Sequence, residues 1–211
     1  MRNIYRNIIA QQKHSHVSRL VVLLLVLCPL LLASCDAESS ISRRYPCQFI
    51  FRTQLHPGTD METALNGAGI YTYVSARQVN GAWHIYTCLN DGRNETKDIT
   101  LSTATENYAN YHHIGAGNDT KDATKNGFIL GQSNFNGAVA WDRQCPNCIT
   151  QYGGTNYPLS WTGNRQSVLC DKCKRIYSLE TGAIESGGKG DALMRYRVSY
   201  GGIGSVLTVG N

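Results

Sequence analysis

Four of the eight cysteines form two pairs of equal spacing, Cys145-Pro-Asn-Cys148 and Cys170-Asp-Lys-Cys173, with 21 residues between them. A CxxC turn sets two sulfurs one metal-ligand bite apart and aims backbone N–H groups at them. Two such turns at the tips of neighbouring hairpins converge on a tetrahedron. Lys172, Lys174, Arg175 and Arg143 flank the turns. Their charge offsets the negative charge of a divalent ion on four thiolates, and favours the deprotonated thiols that a metal requires. Zinc suits this set as a structural ion, and an all-cysteine [2Fe–2S] electron-transfer centre is the alternative. Thiol–disulfide chemistry is the second alternative. A redox CxxC of the thioredoxin type opens a helix, whereas Ile-Thr-Gln-Tyr-Gly-Gly-Thr-Asn after Cys148 is poor helix material, so the pattern predicts a metal.

Other reactive residues are weaker candidates. Cys47 and Cys88 stand alone and form a disulfide only if their Cα atoms approach about 5.5 Å. His112-His113 with Tyr108 and Tyr111 read as a loop or strand edge before they read as a site. Asn118-Asp119, Asp122 and Asn126 offer oxygen ligands but lack the glycine and terminal glutamate of a calcium loop. Tyr152, Tyr157 and Trp161, between the CxxC turns, are expected to cover the metal loops rather than to form a carbohydrate platform. There is no Ser/His/Asp set, nucleophile elbow, phosphate loop or paired-carboxylate motif. A binding or envelope role is therefore expected ahead of an enzymatic one. If the site is redox-active, the chain is expected to serve as an electron-transfer component of an oxidoreductase system.

The N-terminus indicates where this chemistry is carried out. Arg2, Arg6, Lys13 and Arg19 precede an apolar run from Leu20 to Leu32, and Leu32-Ala33-Ser34-Cys35 closes it. The run is shorter than the ~20 residues that span a bilayer as a helix, so it reads as a secretory signal over residues 1–34. Leu-Ala-Ser-Cys resembles the bacterial lipobox, which implies that Cys35 is acylated and becomes the first mature residue. Its acyl chains, at about 0.8 kcal/mol per buried methylene, would anchor the protein to the lipid bilayer of the cell envelope. Of the 20 basic residues, four leave with the leader, so 16 face 15 acidic ones. The positive balance thus largely disappears, and the chain lacks the basic run of a nucleic-acid binder.

The elements that must position the cysteines are short and β-rich. Residues 35–46 read as a lipidated cysteine and flexible tether. From 47 to 211, runs of β-branched and aromatic residues alternate with turn signals such as Asn80-Gly81, Asn126-Gly127 and Asn136-Gly137. Strands are expected at 47–52, 70–74, 83–88, 128–130, 138–141, 167–169, 175–179, 193–198 and 205–209. A helical turn is expected at 61–66. The reading is one all-β domain, a small antiparallel β-sandwich.

The run from Gly137 to Val209 resembles a Rieske domain. Its first loop, AVAWDRQCPNC, and its second, LCDKC, take the places of the family's two cluster-binding loops. Tyr177-Ser-Leu-Glu-Thr-Gly182 follows as the family's aromatic-Asp-Leu-x-Thr-Gly element, and 193–198 and 202–209 fit the closing strands. The resemblance implies a metal-loop subdomain over about 138–180 on a base sheet supplied by 47–136. It also implies cysteine, at Cys148 and Cys173, where the family has its histidine ligands, since no histidine follows His113.

Overall fold

The computed structural model describes residues 41–108, 111, 113–116 and 126–211. The signal segment 1–34, Cys35, His112, Asn118, Asp119 and Asp122 lie outside them. Among the described residues, twelve strands form two antiparallel sheets. The larger sheet contains β1 (Gln48–Arg52), β2 (Tyr71–Val79), β3 (Ala82–Leu89), β4 (Lys97–Leu101), β5 (Phe128–Ser133) and β6 (Gly137–Asp142). It is completed by β11 (Arg195–Tyr200) and β12 (Val206–Gly210), in the order β1-β12-β11-β6-β5-β2-β3-β4. The smaller sheet has the order β10-β9-β8-β7, from β7 (Leu159–Trp161), β8 (Ser167–Cys170), β9 (Ile176–Ser178) and β10 (Ile184–Ser186). The all-β expectation holds.

The smaller sheet is an insertion in the larger one. The chain leaves at the end of β6 and returns at β11, which pairs with β6 through Arg195 and Tyr196. The insertion therefore runs to Ser186, beyond the expected limit near residue 180. The two-residue period of the central strands explains how both faces are filled. On β2, Tyr71 and Tyr73 pack toward the cysteine-bearing insertion, while Val74 and Ala76 pack into the main core. Ile129 of β5 and Val139 and Trp141 of β6 join the tyrosines, and Phe128, Leu130 and Ala140 face the other way. Covered on both faces, Phe128, Ile129 and Leu130 of β5 and Val139, Ala140 and Trp141 of β6 read as continuous apolar runs.

The main core is closed by α1 (Asp60–Asn66), which buries Met61 and Leu65. Thr59 caps it, its hydroxyl accepting from the Glu62 N–H. Buried Asp60 is held by Lys97 of β4 at 2.6 Å and by the Thr87 hydroxyl at 3.0 Å. A second short helix, α2 (Ala104–Asn107), follows β4. The Asn80-Gly81 turn between β2 and β3 has positive φ at both residues, as a tight hairpin requires.

Residues 41–46, expected to be flexible tether, are instead bonded to the body. The Ser42 N–H donates to Arg195 O, and Asn211 Nδ2 donates to the carbonyls of Ser42 and Tyr45. The polar composition suggested a free linker because the partners of Ser42 and Tyr45, Arg195 and Asn211, lie at the far end of the chain. β4, β7 and β10 were also missed, being short and partly polar edge or near-edge strands. No described helix is long and apolar enough to cross a membrane.

Candidate metal centre

β6 ends at Asp142, and the first cysteine loop opens immediately after it. The loop is closed at its base by Leu159 N–H to Arg143 O (2.8 Å) and Cys145 N–H to Tyr157 O (2.9 Å). Within it lies α3 (Pro146–Tyr152), with Cys145 as the N-cap residue and Pro146 in its first turn. This corrects the expectation that no helix follows the first CxxC. Proline is pre-organised for the first helical turn, and Gly153 at φ 72° ends the helix, so two turns form from indifferent residues.

The second pair sits on the β8–β9 hairpin. Cys170 is the last residue of β8, and Lys174 N–H donates to Cys170 O at 2.8 Å while Cys170 N–H donates to Arg175 O at 2.9 Å. Lys174 adopts φ 60°, which turns the chain back after Cys173. The backbone N–H groups of Lys172 and Cys173 point at the Cys170 sulfur, and that of Cys148 points at Cys145. The hairpin tip expected for both pairs is therefore found for one; the other is a helix start.

The four ligand sulfurs converge. All lie within 4.8 Å of one another, with Cys145 Sγ 3.7 Å from Cys173 Sγ and Cys148 Sγ 3.6 Å from Cys170 Sγ. Cys145, Cys148 and Cys170 are buried and Cys173 is half-buried. They are enclosed by Leu159, Val168, Tyr177, Leu179 and Leu193. The cluster fits a metal ion, and no other group of three or more metal-type side chains converges among the described residues.

Electrostatics point the same way. The Cys145 thiol is pushed down to about 5, chiefly by a hydrogen bond from Cys170 and further by the Tyr177 hydroxyl 3.1 Å away, against the cost of burial. Cys148 is pushed up to about 12 by burial first, and Cys170 is pushed up first by its hydrogen bond to Cys145 and then by burial. The pocket by itself thus stabilises the Cys145 thiolate and resists ionisation of Cys148 and Cys170. A dication supplies the charge that lets all four ionise. Of the flanking bases, Arg175 is set against Cys173, which holds its guanidinium pKa up. Lys172 lies over the Tyr152 ring, Lys174 faces Asp171 at 3.9 Å, and Arg143 lies over Tyr73.

Three supporting residues carried no recognisable sequence signal. Asn147 ties the first loop to a third one, donating to Tyr177 Oη and Asp191 O and accepting from Asp191 N–H. Gly190 permits that approach, since a Cβ there would lie 2.1 Å from Asn147 Oδ1. Asp142 is fully buried and takes three donors: Gln144 N–H at 2.7 Å, Ala116 N–H at 2.6 Å and the Tyr196 hydroxyl at 2.6 Å. Gln144 Oε1 in turn accepts from Tyr157 N–H. A chain of bonds therefore runs from β11 to the base of the first loop.

The remaining candidates separate. Cys47 and Cys88 are both free thiols, so the possible disulfide is not formed. Cys47 lies in the main core and Cys88 packs on the opposite, cysteine-loop side, so the sheet stands between them. Tyr111 is buried while Tyr108 and His113 are exposed, and they make no common site. Tyr152 and Tyr157 pack together, but Trp161 stacks on Tyr73 instead, so no three-ring platform exists. Comparison of the chain with known protein families, curated proteins and solved structures finds no match.

Proposed function

We propose that the chain is an exported lipoprotein, held on a membrane face by acylated Cys35. Its Rieske-like β domain carries one structural zinc ion on Cys145, Cys148, Cys170 and Cys173, in a binding or envelope-structure role. The observation that carries this reading is the sulfur spacing. A zinc–sulfur bond of about 2.3 Å makes the edge of a tetrahedron about 3.8 Å. The short contacts between the loops are 3.7 and 3.6 Å, and none of the six separations exceeds 4.8 Å. A two-iron cluster holds two thiolates on each iron and spreads the pairs apart by the width of its core, which these separations do not favour. The Rieske resemblance is supported by the layout, a small sheet inserted between β6 and β11 of a larger one and bearing both loops. Cysteine at both histidine positions removes the nitrogen ligands that raise the potential of a Rieske centre.

The test is metal analysis with visible spectroscopy on the full chain purified without oxygen. One zinc per chain and a colourless protein are expected. A red-brown protein with two irons per chain would overturn the zinc assignment in favour of an electron carrier, and metal-free protein with two disulfides would overturn both. Attachment is tested separately by growing expressing cells with radiolabelled palmitate. Label is expected in the wild-type chain and none in Cys35→Ser; equal labelling rejects the anchor.

A further inference from the structure

We propose that Cys173 is an oxidation site and Cys145 its resolving thiol, through which a hydroperoxide turns the metal centre into two disulfides that cross between the loops; this rests on the zinc assignment. Of the four ligands, Cys145 and Cys148 are 0 % exposed and Cys170 is 1 % exposed, whereas Cys173 is half-buried. Cys173 lies in the turn between β8 and β9, where Asp171, Lys172 and Lys174 are all exposed. A peroxide must touch a sulfur to oxidise it, and Cys173 is the ligand that solvent reaches.

The sulfur spacing selects the partner. Cys145 Sγ is 3.7 Å from Cys173 Sγ and Cys148 Sγ is 3.6 Å from Cys170 Sγ, so each contact joins one loop to the other. A disulfide bond is about 2.05 Å long, so either pair must close by only about 1.6 Å. The Tyr177 hydroxyl, 3.1 Å from Cys145 Sγ, fixes the position of that sulfur. Disulfides within the two CxxC turns would leave the loops unlinked once the metal is lost. Disulfides across them keep α3 joined to the β8–β9 turn, so a covalent joint replaces the metal.

The electrons balance with one hydroperoxide per disulfide. The Cys173 thiolate attacks the peroxide, an S–O bond forms as the O–O bond breaks, and the departing oxygen takes up a proton and leaves as water or an alcohol. Cys173 is then a sulfenic acid, oxidised by two electrons. The Cys145 thiolate attacks that sulfur, the S–S bond forms as the S–O bond breaks, and the hydroxide takes up a proton and leaves as water. Two thiolates remain, too few to hold a dication in a site built for four. After the ion departs, the same two steps with a second hydroperoxide join Cys148 to Cys170.

The experiment adds hydrogen peroxide stepwise to the metal-loaded full chain in detergent. It uses the Cys88→Ser background, so that the half-buried thiol outside the cluster does not compete. Released zinc is read with a chromogenic chelator, and disulfides are mapped on peptides after the remaining thiols are alkylated. At substoichiometric peroxide, the Cys145–Cys173 disulfide is expected to exceed either CxxC disulfide at least about tenfold. At two peroxides per chain, one zinc per chain is expected in solution, with Cys148–Cys170 also closed. The oxidised protein should then melt at the same temperature with and without chelator. Zinc content before oxidation tests the metal assignment by itself. The map is repeated on chelator-stripped chain, so the pairing is decided whatever metal the protein carries. The proposal is overturned if Cys145–Cys148 or Cys170–Cys173 forms first, if a dimedone trap labels Cys148 or Cys170 ahead of Cys173, or if the thiols and the zinc survive two equivalents of peroxide.

Discussion

Cys145→Ser is expected to lower the melting temperature of the metal-loaded protein by about 10 °C or more, and its zinc affinity by at least about a hundredfold. The insertion bearing the site consists of three- and four-residue strands and a seven-residue helix. Isolated elements of that length are unstable in water, so their order rests on the tyrosine-lined face beneath them and on whatever joins the two loops. An ion on Cys145, Cys148, Cys170 and Cys173 makes that joint, and its binding energy then becomes folding energy. Serine at 145 removes one thiolate and leaves a hydroxyl that is a poor zinc ligand. Calorimetric melting with and without a chelator checks this. Chelator should bring wild type down toward the variant and leave the variant nearly unmoved. Cys88→Ser, outside the cluster, should stay within a few degrees of wild type. Equal melting temperatures for wild type and Cys145→Ser would remove the structural role of the site.

Asp142→Ala should cost about 4 kcal/mol at neutral pH. The substitution leaves the N–H groups of Ala116 and Gln144 and the hydroxyl of Tyr196 without an acceptor in a site closed to water. Each buried unpaired donor costs about 1–3 kcal/mol. The effect also has a pH signature. Burial raises the Asp142 carboxyl to about 7 in the folded protein, with the three hydrogen bonds pulling the other way. A raised folded pKa means the contribution of the carboxyl is fully present below the unfolded value near 4 and is lost as pH rises through about 7. The stability difference between wild type and Asp142→Ala should therefore be larger at pH 5 than at pH 8. Urea melts at the two pH values measure it, and both proteins retain the cysteines, so metal release in acid cancels to first order. A difference that grows with pH would show that the hydrogen bonds hold the carboxyl ionised.

Asp142 also shows why part of the site was illegible in the sequence. It precedes the first cysteine pair by three residues and looks like any polar residue at a strand end. Two of its three partners come from residue 116 and from β11, more than 50 residues on in the latter case. Asn147 and Gly190 are similar, because neither residue alone announces a contact between two loops. The helix at Pro146–Tyr152 was misjudged for another reason. Intrinsic propensity is a weak prior over seven residues, and proline in the first turn, a closed loop base and packing of Ile149 against Ala116 and Met194 outweighed it.

The cysteine pairs read correctly because the chemistry is local. A CxxC turn brings two sulfurs together within four residues whatever surrounds it, so the candidate ligands were visible as soon as the chain was read. The β class was equally visible, since two-residue alternation and Asn-Gly turns act over a few residues each. The tertiary structure decided that the two pairs meet, with sulfurs 3.6 and 3.7 Å apart across the loops. It also decided that Cys47 and Cys88 do not meet, because the sheet lies between them. Both outcomes depend on strand order, with β6 and β11 joined across the insertion, and strand order is set by long-range burial that no short stretch of sequence contains.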